Sequence, residues 1–223
     1  VHFERADEPI LAPGTCPEEA QGVEDPRITY LEGTWHLTYT GYDGARTVAR
    51  RATSPDLQTW TRQGTVLPWE PFGNEKNTAL FPARIGGRYA LLHRPMGGAG
   101  TVYEPHSVWL GYSDDLQTWT DHQLILPARR GQVAWEYAKN GIGGPPHRVD
   151  EGWLLVYHAV DAKMVYRLGL ALLDADDPSR ILRQTDEPIL APEVGWEVEG
   201  DVNNVVFTCG SLLRGTELSV YYG

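Results

Sequence analysis

The sequence predicts an all-β chain built as a β-propeller, and three observations predict it: internal repeats, a strand-and-turn composition, and a hairpin plan that recurs four times. Eight Trp, eleven Tyr, 24 Gly and 16 Pro favour strands and turns. No long run carries a helical period. At 223 residues, with no low-complexity linker, the chain reads as one domain over residues 1–223.

The repeats set the frame. Residues 54–68 read SPDLQTWTRQGTVLP and residues 113–127 read SDDLQTWTDHQLILP, with DLQTWT identical in both. ADEPILAP at 6–13 returns as TDEPILAP at 185–192, about three such offsets later.

The first hairpin lies in residues 22–44, GVEDPRITYLEGTWHLTYTGYDG. Pro26 pushes Asp25 towards an extended conformation, which places Glu24, Asp25 and Arg27 at the start of a strand. Apolar and polar residues then alternate on either side of a Glu32-Gly33 turn. Residues 77–95, 139–161 and 201–223 repeat the plan: polar residues, an apolar strand, a Gly-containing turn, an aromatic strand. A further strand pair follows each of the first three, at 47–63, 102–122 and 165–184. Four strands per repeat of about 50 residues describe propeller blades. Residues 1–5 match an outer strand without the rest of its blade, and residue 223 falls where more strands are expected. The expectation is therefore an incomplete fragment, about four blades of a five-bladed propeller, truncated at both ends.

A formal net charge of −11 argues against nucleic acid and anionic membrane as partners. Cys16 and Cys209 give no disulfide framework, the seven His have no zinc-ligand spacing, and no metal is expected. No apolar stretch approaches the roughly 20 residues of a membrane span and no signal peptide opens the chain, so a cytoplasmic protein is expected.

Innermost strands of a propeller start near its axis, so the polar residues at the four hairpin starts converge on one site. The candidates are Glu24, Asp25 and Arg27; Lys76 and Asn77; Lys139 and Asn140; and Glu199, Asp201, Asn203 and Asn204, with Arg94, His158 and Tyr166 behind them. Singly, each is ordinary: an Asp before Pro caps a turn, and a lone Lys is solvated surface. Recurrence at equivalent positions raises the functional reading. Tyr39, Tyr42, Trp69, Trp135 and Tyr166 could stack on sugar rings, although most aromatic residues must serve the core.

GVEDPRIT, YTGYDG, NTALFPARIGGRYALLHRP, IGGPPHRVDEGWLLVYH, YRLGLALLD and GDVNNVVFTCG, in this order along the chain, resemble glycoside hydrolase family 130, the inverting β-mannoside phosphorylases and related mannosidases with a five-bladed propeller. The resemblance implies a glycosyltransferase-type phosphorylase with Asp25 as its single catalytic acid. Inorganic phosphate is then the co-substrate and no cofactor is needed. Phosphate attacks the anomeric carbon of a mannoside oligosaccharide, giving α-mannose 1-phosphate, while Asp25 protonates the leaving oxygen through the mannose 3-hydroxyl. Arg94, His158 and Tyr166 match phosphate-binding positions, with Lys76 and Lys139 as further candidates. Glu24, Arg27, Asn77 and Asp201 are the substrate-binding candidates. Asn203 stands where the family has proline, and His147 where it has an apolar residue.

One acid with several cations suits phosphorolysis, because an inverting hydrolase needs a second carboxylate to activate water. The alternatives are a β-mannosidase using Glu24, Glu199 or Glu136 as that base, and a non-catalytic carbohydrate-binding propeller. A homo-oligomer is compatible with each.

Overall fold

Apolar residues run unbroken through the second strand of the predicted hairpins, as in Leu91-Leu92 and Leu154-Leu155-Val156. A sheet carries such runs when both of its faces are covered. The computed structural model describes residues 4–14, 16–67, 69–97, 103 and 106–223. In it β1 (Gly22–Leu31), β2 (Thr34–Tyr42), β3 (Thr47–Ser54) and β4 (Thr61–Thr65) form a first sheet, and β5 (Asn74–Leu80), β6 (Tyr89–Gly97), β7 (Val108–Ser113) and β8 (Thr120–Leu126) a second. The third joins β9 (Lys139–Ile142) and β10 (His147–Val149), both paired to β11 (Gly152–Val160), with β12 (Tyr166–Leu173) and β13 (Ile181–Gln184). A two-stranded fourth sheet holds β14 (Thr208–Arg214) and β15 (Glu217–Tyr222). Neighbouring strands are antiparallel in all four sheets.

The chain is thus all-β, and the four predicted hairpins are the first strand pair of each sheet. One inner strand departs from the expected plan. It is divided into β9 and β10 around Pro145 and Pro146, which have no N–H to give to a ladder. Of the strand expected at residues 1–5, residues 1–3 lie outside the described residues, and Glu4 and Arg5 form no strand. In the pair expected at 102–122, residues 102, 104 and 105 are likewise outside, and β7 begins at Val108. Among the described residues no helix is long and apolar enough to cross a membrane.

Alternate residues of a central strand face opposite neighbours, so the core is a set of layers between sheets. Leu91 joins Ala49, Val66 and Leu80 between the first and second sheets, while adjacent Leu92 joins Leu110, Ile142 and Leu155 between the second and third. Val156 faces the other way, onto Leu168, Val206 and the fourth sheet's Leu218 and Val220. The first strands also meet: β1 packs against β5 and β14, and β5 against β9. This contact brings the hairpin starts together.

The DLQTWT repeats fold identically because their side chains satisfy their own turn. Asp56 Oδ1 accepts the N–H groups of Gln58 and Thr59 at 2.9 and 2.8 Å, and Asp115 Oδ1 those of Gln117 and Thr118 at 2.8 and 2.7 Å. Leu57 and Leu116 take the same left-handed conformation, with φ of 65° and 62°.

Each sheet also buries one glutamate. Glu19 receives Tyr39 Oη at 2.8 Å and pairs with Arg62; Glu75 meets His93 Nδ1 at 2.9 Å; Glu197 receives Tyr222 Oη at 2.7 Å. Glu136 holds Tyr157 Oη at 2.6 Å, Arg129 Nη2 at 2.7 Å and Asn140 Nδ2 at 3.1 Å. Its carboxylate is fully enclosed in the third sheet, which corrects the expectation that Glu136 could serve as a base in a mannosidase. Replacing Glu136 by Ala leaves Arg129 and Tyr157 without their buried partner. Chemical denaturation is expected to report a loss of about 3–5 kcal/mol, with Glu136→Gln losing less.

Candidate active site

Asp25 and Asn77 occupy equivalent places in the first two sheets. The β1–β2 register shifts between Glu24 and Arg27, and the β5–β6 register between Lys76 and Ala79. Each shift turns one residue out of the ladder into the left-handed region, Asp25 at φ 55° and Asn77 at φ 56°, which corrects the expectation that Asp25 before Pro26 is extended. Asn77 Nδ2 donates to Asp25 Oδ2 at 2.9 Å, so the two bulges are tied across the sheet boundary.

A cavity of about 840 Å³ opens at this point. Of the ten residues to which the family resemblance gives a role, eight line it: Asp25, Lys76, Asn77, Arg94, Lys139, His158, Tyr166 and Asp201. Each comes from the start of a first strand, the far end of a second strand, the start of a third strand, or the segment before β14. Lys76 and Arg94 face each other in the β5–β6 ladder, and Gly141 faces His158 in β9–β11. An added Cβ at Gly141 would overlap Asn77 Oδ1 and His158 Nε2, so only glycine lets the second and third sheets close there.

Arg94 Nη1 donates to His158 Nε2 at 3.4 Å, which leaves the proton of the neutral ring on Nδ1. Among the described residues Arg94 Nε and Asn77 Oδ1 have no hydrogen-bond partner, and His158 Nδ1 has none of good geometry, although the Ile142 backbone beside the ring favours its proton. His158 lies between the rings of Tyr166 and Phe207, with centroids at 6.1 and 4.7 Å. Lys139 Nζ stands 4.8 Å above the Tyr166 ring. Lys76 is ion-paired to Glu24 at 2.8 Å, whereas among the described residues no carboxylate lies within ion-pair distance of Arg94 or Lys139. Burial lowers Arg94 to about 10, and burial with the Arg94, Arg27 and Lys139 charges holds His158 well below the usual histidine range. The site is an open cationic pocket floored by buried Arg94 and His158, with two carboxylates in its lining, Asp25 in the β1 bulge and Asp201 on an exposed loop.

Two candidates lie elsewhere. Glu24 sits beside the cavity and engages Lys76. Arg27 does not line it: the side chain is buried and directs its hydrogen bonds to backbone carbonyls, which corrects the expectation that it contacts substrate. Glu199 is exposed and outside the lining. Of the aromatic candidates, Tyr166 lines the cavity, while Tyr39 and Trp135 are core residues.

Sequence reasoning missed Trp196, Phe207, Cys209 and Tyr222, which also line it. A Trp-Glu pair recurring at 69–70, 135–136 and 196–197 was the available signal for Trp196, which stacks on Tyr222 at 5.5 Å. His147, the departure from the apolar family residue, is matched by Ser211 Oγ at 2.8 Å from Nε2, and Asn203 Oδ1 accepts the Gly200 N–H at 3.2 Å. Among the described residues no group of three or more His, Cys, Asp or Glu is placed to hold a metal ion.

The family model described as β-1,4-mannooligosaccharide phosphorylase matches residues 1–223. The chain is 42% identical over 226 residues to a 1,2-β-oligomannan phosphorylase of Thermoanaerobacter sp., a match that covers all of the chain and 71% of that relative. It is 33% identical to a β-1,2-mannobiose phosphorylase of Listeria innocua, covering 60% of that protein. A solved structure of the Listeria innocua β-1,2-mannobiose phosphorylase with β-1,2-mannobiose superposes with a TM-score of 0.90 at 32% identity, over the whole chain and 60% of the solved one. A structure concerned with family members that hydrolyse β-1,2-mannosidic linkages gives a TM-score of 0.83 at 25% identity, over all of this chain and 68% of that one.

The histidines carry a pH prediction. His36 and His122 are held at about 4 by burial first and neighbouring charge second, and His158 is also depressed. All three titrate near 6.5 when unfolded, so the unfolded chain binds more protons below that pH. Stability is expected to fall as pH drops from about 6.5 towards 4, measured by denaturant midpoints, with the His158 ring resonances staying those of the neutral form. Gly141→Ala is expected to displace His158 and Asn77, so that anion binding to the cavity, followed by calorimetry, weakens at least about tenfold.

Proposed function

Because the chain belongs to glycoside hydrolase family 130, we propose that it carries the active site of a β-mannoside phosphorylase acting on β-1,2-linked manno-oligosaccharides. The observation that carries this reading is that buried Arg94 and half-buried Lys139, with no carboxylate partner among the described residues, share one cavity with Asp25. A desolvated cation whose donors are not taken up by protein oxygens favours an anion, and phosphate supplies one. The linkage is suggested by the β-1,2-specific names of the Thermoanaerobacter and Listeria relatives.

In this reading Arg94, His158, Tyr166, Lys76 and Lys139 hold phosphate, and Asn77 and Asp201 bind the sugar. A phosphate oxygen bonds to the anomeric carbon from the face opposite the leaving oxygen, the glycosidic C–O bond breaks, and Asp25 supplies the proton through the mannose 3-hydroxyl. The phosphate's own proton then restores the acid. Hydrolysis by the same scaffold is the second reading, since structures with this fold include hydrolases. Against it, Glu24 is engaged by Lys76, Glu136 is enclosed, and Glu199 stands outside the cavity.

The four sheets are read as blades of a five-bladed propeller within one domain over residues 1–223. An apolar cleft of about 650 Å³ between β1 and the β14–β15 pair, lined by Ile28, Tyr30, Trp35 and Leu212, supports a further blade seated there. Cys16 and Cys209 are both free, which supports a reducing, cytoplasmic setting.

The whole protein is expected to consume β-1,2-mannobiose only when phosphate is present; equal turnover in phosphate-free buffer contradicts the proposal. Asp25→Asn is expected to lower kcat by more than about a thousandfold with mannoside binding retained.

A further inference from the structure

Arg27 is 1% exposed and presents its guanidinium to three backbone carbonyls: Asp25 O at 2.9 Å from Nη1, Ile142 O at 2.8 Å from Nη2, and Gly143 O at 3.1 Å from Nε. The first belongs to the left-handed bulge of β1, where Asp25 and Pro26 have no partner on β2. The other two follow Gly141, the residue that pairs with His158, and close the short strand that begins at Lys139. One rigid planar group therefore bridges the backbone that carries the acid and the backbone beside the anion site. No carboxylate pairs with Arg27 among the described residues, so its geometry is set by these carbonyls. Asn77 holds the Asp25 side chain, and Arg27 holds its main chain.

We propose that Arg27 is a positioning residue for Asp25, fixing how far the proton donor stands from the bound phosphate. This rests on the phosphorylase reading above. Lysine preserves the charge at this position and loses the three-pronged planar fork, so Arg27→Lys separates geometry from electrostatics.

The test compares wild type and Arg27→Lys of the whole protein on two substrates. One is β-1,2-mannobiose, whose sugar leaving group must be protonated. The other is an aryl β-mannoside with a phenol acidic enough to depart without a proton. Each rate is corrected for the folded fraction from a thermal melt. A misplaced acid lowers kcat on mannobiose by about a hundredfold and on the aryl mannoside by less than about threefold, with the KM for phosphate within about threefold of wild type. Equal losses on both substrates, or no loss on either, overturn the proposal. Arg27→Gln takes the place of the lysine variant if that variant does not fold. Failure of wild type to form mannose 1-phosphate would bring down the phosphorylase reading instead. The leaving-group comparison would still decide the role of Arg27, because hydrolysis needs the same proton.

Discussion

The hydrogen bond from Asn77 to Asp25 is the contact on which the site depends, because it joins the two left-handed bulges across the boundary between two sheets. A left-handed conformation at a residue other than glycine costs about 1–3 kcal/mol and persists only where the surroundings over-determine it. Here the surroundings are close-packed layers on both faces of each sheet, with Leu91 and Leu92 anchoring the second sheet in opposite directions. The layers fix the sheets, the sheets fix the bulges, and the bulges turn an acid and an amide out of their ladders into a shared cavity.

Charge distribution follows from the same arrangement. Most buried charges are compensated within their own sheet, as Glu19 is by Arg62 and Glu136 by Arg129. Buried Arg94 and half-buried Lys139 are the contrast: both line the cavity, and the neighbouring partners are a neutral imidazole and an aromatic ring. Desolvation without a carboxylate is unfavourable, which is why burial lowers Arg94 and suppresses protonation of His158. An incoming dianion relieves that cost, so the acidic chain as a whole is compatible with a strongly anion-seeking centre.

Much of this was legible in the residues. DLQTWT announced itself because Ser and Asp side chains accept the backbone N–H groups of their own turn, and such local chemistry survives in any context. Asp25, Asn77, Lys76 and Lys139 were found by recurrence at strand starts, which the meeting of first strands turns into proximity. Arg27 was misread because closeness in sequence to Asp25 says nothing of side-chain direction: it reaches through the interior to Ile142 and Gly143, over a hundred residues away. Glu136 was misread because an acidic residue beside Trp135 looks like loop surface until Tyr157 and Arg129 close over it. Trp196, Phe207 and Tyr222 were missed because aromatic residues abound and only the tertiary path of the last segment selects these for the cavity.

The central claim, a lone acid working across a mannoside from a phosphate held by Arg94 and Lys139, is tested most directly by the stereochemistry of the product. Phosphorus NMR of the whole protein with β-1,2-mannobiose and inorganic phosphate should show a new mannosyl phosphate resonance whose coupling to the anomeric proton identifies the α anomer from the first turnover. A β-configured product, or free mannose with the phosphate signal unchanged, would contradict the account.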